Sequence, residues 1–428
     1  MRPSSGDVVD HKKRRSEITQ VVLLFLYGFG NAAAYLLCRT VADSEYLSRF
    51  GADRLPELYM MSAGVVALAS IGYSHLLRIA GLKRSIVFTL AAFAFVTVLI
   101  AVLIANIVDA MLLFLVLYYV SQVRGSLATI QFATVLNEQY SRSGPVAVVG
   151  IVGAGATAAG ALVGSIVSLL PEDFAVSNLL VIAAVFDLAT IIPLLMLRAL
   201  RRTKQEVGKD KTEDSPNFGK RHSLFAALKS RYVVGIATIV CCSIMVTTVV
   251  EYNWKAIAAA EMQGDSREMV RFFGLFYGIV YCLTGSMQLL LTSRILRRNR
   301  LFLGLLIYPV GMVVGLAFVF ANSGGPLLGA LSFWKGGDVL RRSLHDPSVQ
   351  VLYSPLKRHF RRMAITFISG IAKPFTEAVA GVWILVGSNF LPTAQVCLLA
   401  VPWLLIWLGV APFVWRSFAG HKSTKGGA

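Results

Sequence analysis

Apolar stretches of about 20 residues recur along the whole of this chain, and few folds can accommodate that pattern. A helix rising about 1.5 Å per residue crosses the hydrocarbon of a bilayer in such a length. Twelve stretches can be placed, at 18–38, 58–77, 85–107, 111–135, 146–169, 176–197, 232–255, 272–293, 301–321, 326–344, 364–388 and 393–415. The composition agrees. Of 428 residues, 56% are hydrophobic and 15% carry a charge, where a soluble domain carries roughly 25% charged residues. A soluble enzyme, a disordered chain and a secreted disulfide scaffold are excluded. The expectation is an all-α polytopic membrane protein with twelve transmembrane helices. The tenth stretch is interrupted by Lys335, Gly336, Gly337 and Asp338. The first is followed directly by Arg39 and Asp43 rather than by a small-residue cleavage site, so it reads as a span and not as a signal peptide.

The formal net charge is +18. In a soluble protein that excess suggests nucleic acid; among membrane spans it is sorted by side, and no nucleic-acid partner is expected. With the N-terminus in the cytoplasm, 32 of the 41 Lys and Arg fall on the cytoplasmic side, five on the other (Arg39, Arg49, Arg54, Arg267, Arg271) and four inside spans. That asymmetry predicts both termini in the cytoplasm.

The longest hydrophilic segment, 198–231, follows the sixth span and is polar and charged, as a linker is. The expected organisation is a cytoplasmic N-tail 1–17, a six-helix bundle 18–197, a cytoplasmic linker 198–231, a second six-helix bundle 232–415 and a cytoplasmic C-tail 416–428. This 6+6 layout is that of the major facilitator fold, whose halves are parallel repeats. The short basic loops 78–84 and 294–300 occupy corresponding places in the two halves.

A charged side chain in hydrocarbon costs roughly 2.5–3.5 kcal/mol on insertion scales, so each one needs a reason. The candidates are Arg124, Asp187, Glu251, Lys255, Lys335, Asp338, Lys373 and Glu377, with Arg39 at the outer end of the first span. Glu251 and Lys255 are i, i+4, as are Lys373 and Glu377; Lys335 and Asp338 are i, i+3. Each pair shares a helix face and can neutralise itself, or the set can line a charged central cavity. Arg124 and Asp187 have no such neighbour, so Arg124 either pairs with Asp187 on another helix or binds an anion. Gly125 and Ser126 beside it permit close approach.

Other chemistry finds little support. Cys38, Cys241, Cys242, Cys282 and Cys397 lie in or at the edge of apolar stretches without C-x-x-C spacing, as small buried hydrophobes do. His11, His75, His222, His345, His359 and His421 are scattered and map to one side. No metal or cofactor is expected. Gly153-x-Gly155-x-x-Ala158 matches a dinucleotide fingerprint in form, but no βαβ unit surrounds it, and small residues at that density let membrane helices pack closely. No P-loop and no Ser/His/Asp or Cys/His arrangement stands out, so an enzyme is not expected.

Three stretches carry a family resemblance. AYLLCRTVADSEYLSRFGADRLPELYM (34–60) contains Arg39, Asp43, Leu55 and Pro56; VVEYNWKAIAAAEM (249–262) contains Glu251, Trp254 and Lys255. SLHDPSVQVLYSPL (343–356) contains Ser343, Leu344, Asp346, Pro347, Tyr353, Pro355 and Leu356, and FISGIAKPFTEAVAG (367–381) contains Gly370, Lys373, Pro374 and Gly381. The chain resembles the non-mitochondrial ATP/ADP translocases, and most of all a bacterial, major-facilitator-like branch of that superfamily. The resemblance implies an integral protein of the bacterial inner (plasma) membrane that moves an anionic, nucleotide-like solute by alternating access. Arg124, Lys255, Lys335 and Lys373 would face a phosphorylated substrate, with Arg39 at the outer mouth. Glu251 and Glu377 would hold Lys255 and Lys373 while the site is empty, and Asp187 or Asp338 could carry a coupling proton. Two other readings stand beside this one. One is a proton-coupled carrier of a small metabolite. The other is a membrane scaffold or lipid-handling protein whose basic loop (Arg341, Arg342, Lys357, Arg358, Arg361, Arg362) meets lipid headgroups. The expected partners are membrane lipid and a small anionic solute.

Overall fold

In hydrocarbon, backbone N–H and C=O groups must be paired within their own segment, which a helix achieves and a lone strand does not. All regular structure among the described residues is accordingly helical. The computed structural model describes residues 5–106, 111–140, 146–171, 174–197, 230–288, 290, 301–322, 325–353, 355–356, 364–365 and 367–423. Twelve helices are labelled here: α1 (Ser5–Phe50), α2 (Leu55–Ala80), α3 (Leu82–Asn106), α4 (Met111–Tyr140), α5 (Val146–Ser168), α6 (Val176–Met196), α7 (Arg231–Glu261), α8 (Ser266–Met287), α9 (Leu301–Ala321), α10 (Leu327–Lys335), α11 (Lys373–Ser388) and α12 (Val401–Ser423). Among the described residues, nine of them are long and apolar enough to cross a bilayer. The other three are α5, α10 and α11, at the fifth, tenth and eleventh expected spans.

The tenth span breaks where Lys335, Gly336, Gly337 and Asp338 interrupt it. α10 stops at Lys335, and the chain continues through Asp338–Leu340, a π-helical turn at Arg341–His345 and a further helix at Asp346–Leu352. The loops that follow the first and seventh spans are much shorter than expected. α1 does not end near residue 38 but runs to Phe50, because its charges pair along the helix: Arg39 with Asp43 at 3.5 Å and Arg49 with Glu45 at 3.3 Å. It ends at Gly51, whose φ of +73° is a left-handed conformation that glycine adopts at little cost. Likewise α7 runs on to Glu261 and α8 begins at Ser266. Between them Gln263 and Gly264 have positive φ, and Asp265 caps α8 by accepting from the backbone N–H of Arg267 at 2.8 Å.

The helices group into two compact units. The described residues of Met1–Asp43, Ile71–Phe218 and Phe273–Gly278 form one; those of Ser44–Ser70, Gly219–Phe272 and Ile279–Ala428 form the other. In the first, Leu23, Leu24, Tyr27, Ile86, Leu90, Val135, Leu194 and Leu197 make a core from α1, α3 and α4 and the end of α6. Small residues bring its backbones together: Gly30 lies against Thr190, Gly155 against the Phe25 carbonyl, and Gly164 against Gly274 and Gly278. In the second unit α7 is buried along most of its length. There Gly304, Gly311 and Gly315 on one face of α9 admit Ser348, Leu340 and Trp334. Leu68, Ile71, Phe95, Leu112, Phe375 and Phe390 are among the large apolar side chains left exposed, as lipid-facing positions require.

Candidate functional site

Glu251 and Lys255 stand one turn apart on α7, and the i, i+4 pair forms: Lys255 Nζ lies 2.8 Å from Glu251 Oε1. The i, i+3 pair at the break after α10 forms too, with Lys335 Nζ 3.1 Å from Asp338 Oδ2. The fold then joins them. Lys335 Nζ is 3.4 Å from the second oxygen of Glu251, and Arg341 Nε is 3.3 Å from the second oxygen of Asp338. The result is one chain of charges across α7 and α10, from Lys255 through Glu251, Lys335 and Asp338 to Arg341. It holds three cations and two carboxylates.

Local structure explains why these groups meet. Trp254 Nε1 donates to Ser332 Oγ at 3.0 Å and Trp334 Nε1 to the Met312 carbonyl at 2.9 Å, which sets α10 against α7 and α9. At Gly336 and Gly337 a Cβ would come within about 3 Å of the Phe333 and Trp334 carbonyl oxygens. The tight turn there brings Asp338 back under Lys335. Exposure is graded. Lys255 is 0% exposed and Lys335 5%, whereas Glu251 is 18% and Arg341 26% exposed. Charges this deeply buried are strongly coupled, because little water screens them.

The first unit holds a second, separate constellation. Arg124 on α4 and Asp187 on α6 form a direct ion pair through Nη2 and Oδ1, both fully buried. The guanidinium also sits 5.9 Å from the Phe93 ring centroid, and Gly125 lets α4 meet Tyr35 on α1. Arg124 Nε and Nη1 and Asp187 Oδ2 have no hydrogen-bond partner among the described residues. Arg124 therefore has the interhelical partner that the sequence allowed and donor capacity beyond it.

Arg39 is not at the end of its helix. With α1 extended to Phe50, it lies well inside, donating to Tyr35 Oη at 2.5 Å and pairing with Asp43. Lys373 and Glu377 are exposed on the first turns of α11, outside the buried network, with Lys373 in electrostatic reach of Asp346. The linker 198–231 apart from its last two residues, the loop 294–300, Arg142, Lys357, Arg358, Arg361, Arg362 and the side chains of the N-tail lie outside the described residues. So do the side chains of His11, His222, His359 and His421. No group of three or more metal-ligating side chains is found among the described residues.

Two features of the fold lie outside the expectations drawn from the sequence. Glu45 Oε1 accepts from Ser266 Oγ at 2.5 Å, beyond the expected end of the first span. His345, placed on one side of the membrane with the other histidines, is buried against Tyr308 and Trp407. A signal for it existed: Asp338, Arg341 and His345 are spaced i, i+3, i+7, which puts them on one helical face.

Comparison with known proteins leads to membrane transporters and not to enzymes. The family model of the TLC ATP/ADP transporters matches residues 113–324, just under half of the chain. No curated protein matches in sequence. Several solved structures share the fold over almost their full length. A POT family transporter in complex with 5-aminolevulinic acid superimposes with a TM-score of 0.64 at 11% identity, over 92% of this chain and 96% of that one. The nucleoside transporter NupG, in a mutant form, gives 0.59 at 13%, over 94% and 99%. The xylose transporter XylE from E. coli, in an inward-open conformation, gives 0.59 at 11%, over 92% and 95%. The chain is thus an integral membrane protein with the major facilitator-type transporter fold.

Proposed function

We propose that this integral membrane protein is an alternating-access transporter of an anionic solute of the nucleotide class. The observation that carries the reading is the buried network in which Lys255 and Lys335 share Glu251. Removing one partner from a buried ion pair leaves a costly bare charge, so the lysines stay paired with carboxylate while the site is empty. A phosphate group offers them more negative charge and more acceptor oxygens than Glu251 does. Substrate displaces the carboxylate, the link between α7 and α10 is exchanged for a link through substrate, and binding becomes coupled to helix movement. The net positive charge of the network favours an anion, and the match to ATP/ADP transporters favours a nucleotide among anions. In this reading the two halves are 18–197 and 232–415, joined by a cytoplasmic linker at 198–231. Both termini are cytoplasmic in a bacterial inner membrane.

The test is uptake of labelled ATP by proteoliposomes preloaded with ADP, beside thermal-shift measurements with nucleotides, phosphosugars and carboxylates. A ligand at 100 times its Kd stabilises the protein by about 2.7 kcal/mol, enough to read. Lys255→Gln and Lys335→Gln should each abolish binding while the protein still inserts. Undiminished binding in the doubly substituted protein would remove the network from the site.

A further inference from the structure

Beyond the charge network, the second unit buries a cluster of polar rings that transport of an anion does not use. His345 is 2% exposed. Its ring lies 5.4 Å from Tyr308 on α9 and 5.1 Å from Trp407 on α12, and those two rings meet edge-on at 5.2 Å. Ser348, one turn on, faces Gly304 of α9. Tyr308 Oη, His345 Nε2, Trp407 Nε1 and Ser348 Oγ are all buried and have no hydrogen-bond partner among the described residues. Buried polar atoms are nearly always paired, and those that are not point to strain or to function. Four in one packed cluster, one of them an imidazole nitrogen, call for an explanation.

The other ring nitrogen supplies it. His345 Nδ1 is 3.4 Å from Asp346 Oδ1, so in the neutral imidazole the N–H belongs at Nδ1 and the lone pair at Nε2. Asp346 is 59% exposed, so the pair joins an accessible carboxylate to a buried ring. We propose that His345 is a proton-binding site of this transporter, taking up a proton at Nε2, the ring nitrogen that Asp346 leaves free, beside the buried rings of Tyr308 and Trp407. An O–H bond of hydronium breaks as the Nε2–H bond forms, leaving water; no electrons move, and release reverses the step. The charges that act on its neighbours come from four elements. Asp346 lies beside it, Asp338, Arg341 and Arg342 act on Tyr308, and Lys373 at the start of α11 acts on Asp346.

The inference deepens the transport reading and rests on it for its purpose, since a bound proton biases the same network. A cation at His345 draws on Asp346 and repels Arg341. Arg341 then leans on Asp338, and Asp338 loosens its hold on Lys335. Protonation at one end would thus free a lysine at the other, as coupling of a proton gradient to anion binding requires.

The experiment uses full-length protein labelled with 15N-histidine, in nanodiscs, followed by NMR across about pH 5–8, the range in which imidazoles ordinarily titrate. One titrating ring should be absent from His345→Gln. Tyr308→Phe, which keeps the ring packing and removes the hydroxyl, should move that midpoint alone. This second variant also identifies the resonance if His345→Gln does not fold. A His345 ring that holds one protonation state across the range overturns the proposal, as does a midpoint unmoved by Tyr308→Phe. With ATP as the transport probe, an imposed pH gradient should drive accumulation in the wild type. His345→Gln should keep ATP/ADP counter-exchange and lose that accumulation. Gradient-driven accumulation in the variant, or none in an exchanging wild type, overturns the coupling. A wild type that moves no ATP at all ends the nucleotide reading, while the titration still decides the proton site.

Discussion

At the scale of single residues, burial decides what each charge is worth. Arg124 and Asp187 are both out of solvent, so truncating either one strands the other. Arg124→Ala should lower stability by about 3–5 kcal/mol, and Asp187→Ala on that background should restore most of it. Chemical unfolding in detergent measures both. Arg124→Lys keeps the charge but loses the planar fork. If the spare donors at Nε and Nη1 contact substrate, it should weaken ATP binding with little loss of folded protein. Normal binding in the double variant would make the pair structural only. Glu251→Gln should be more destabilising than any single lysine change, since it weakens the hold on Lys255 and Lys335 together. The expected outcome is loss of transport with a lowered thermal midpoint, and Lys255→Met on that background should recover expression. Of these pairings, Glu251–Lys255 and Lys335–Asp338 were legible as one-turn spacings. The Glu251–Lys335 bridge was not, because it depends on how α10 is rotated against α7. The burial of His345 was missed because its spacing with Asp338 and Arg341 marks a shared face but not that a ring from α9 and another from α12 close over it.

At the scale of elements, helix ends and helix contacts follow different physics. The apolar pattern marks where a helix enters hydrocarbon but not where it stops, so α1 and α7 outrun their apolar cores. Salt-bridged turns, such as Arg39–Asp43 and Glu45–Arg49, carry α1 on until Gly51 ends it. Replacing Asp265 with Ala should remove the cap of α8 and cost about 1 kcal/mol, read as a shift in thermal midpoint. Contacts are set by small residues. A Cβ at Gly315 would run into the indole of Trp334, whereas one at Gly72 would meet nothing within 4 Å. Gly315→Val should therefore cost about 1–3 kcal/mol through overpacking. Gly72→Ala, on the same assay, should be neutral or stabilise by up to about 1 kcal/mol, the helix propensity difference. Equal losses at the two positions would contradict the packing assigned to α9 and α10.

At the scale of the whole molecule, the distribution of charge makes the sharpest statement. Cysteines introduced at the N-terminus, within 205–220 and at the C-terminus should react with a membrane-impermeant reagent only from the cytoplasmic face. Cysteines at 51–54 and 262–265, the two short turns between long helices, should react only from the opposite face. A site labelled from the wrong side would break the twelve-helix assignment. Hydropathy and charge bias are sums over neighbours in the chain, and so the helical class, the division into spans, the broken tenth span and the local ion pairs were all readable without a structure. Which helices touch depends instead on rotation, register and close approach between segments far apart in the chain. The link from Arg124 to Asp187, the bridge from Glu251 to Lys335, and the cluster around His345 are contacts of that kind. Tertiary packing alone decided them, because whether a buried charge is paired or bare is settled by the neighbour that arrives from another helix.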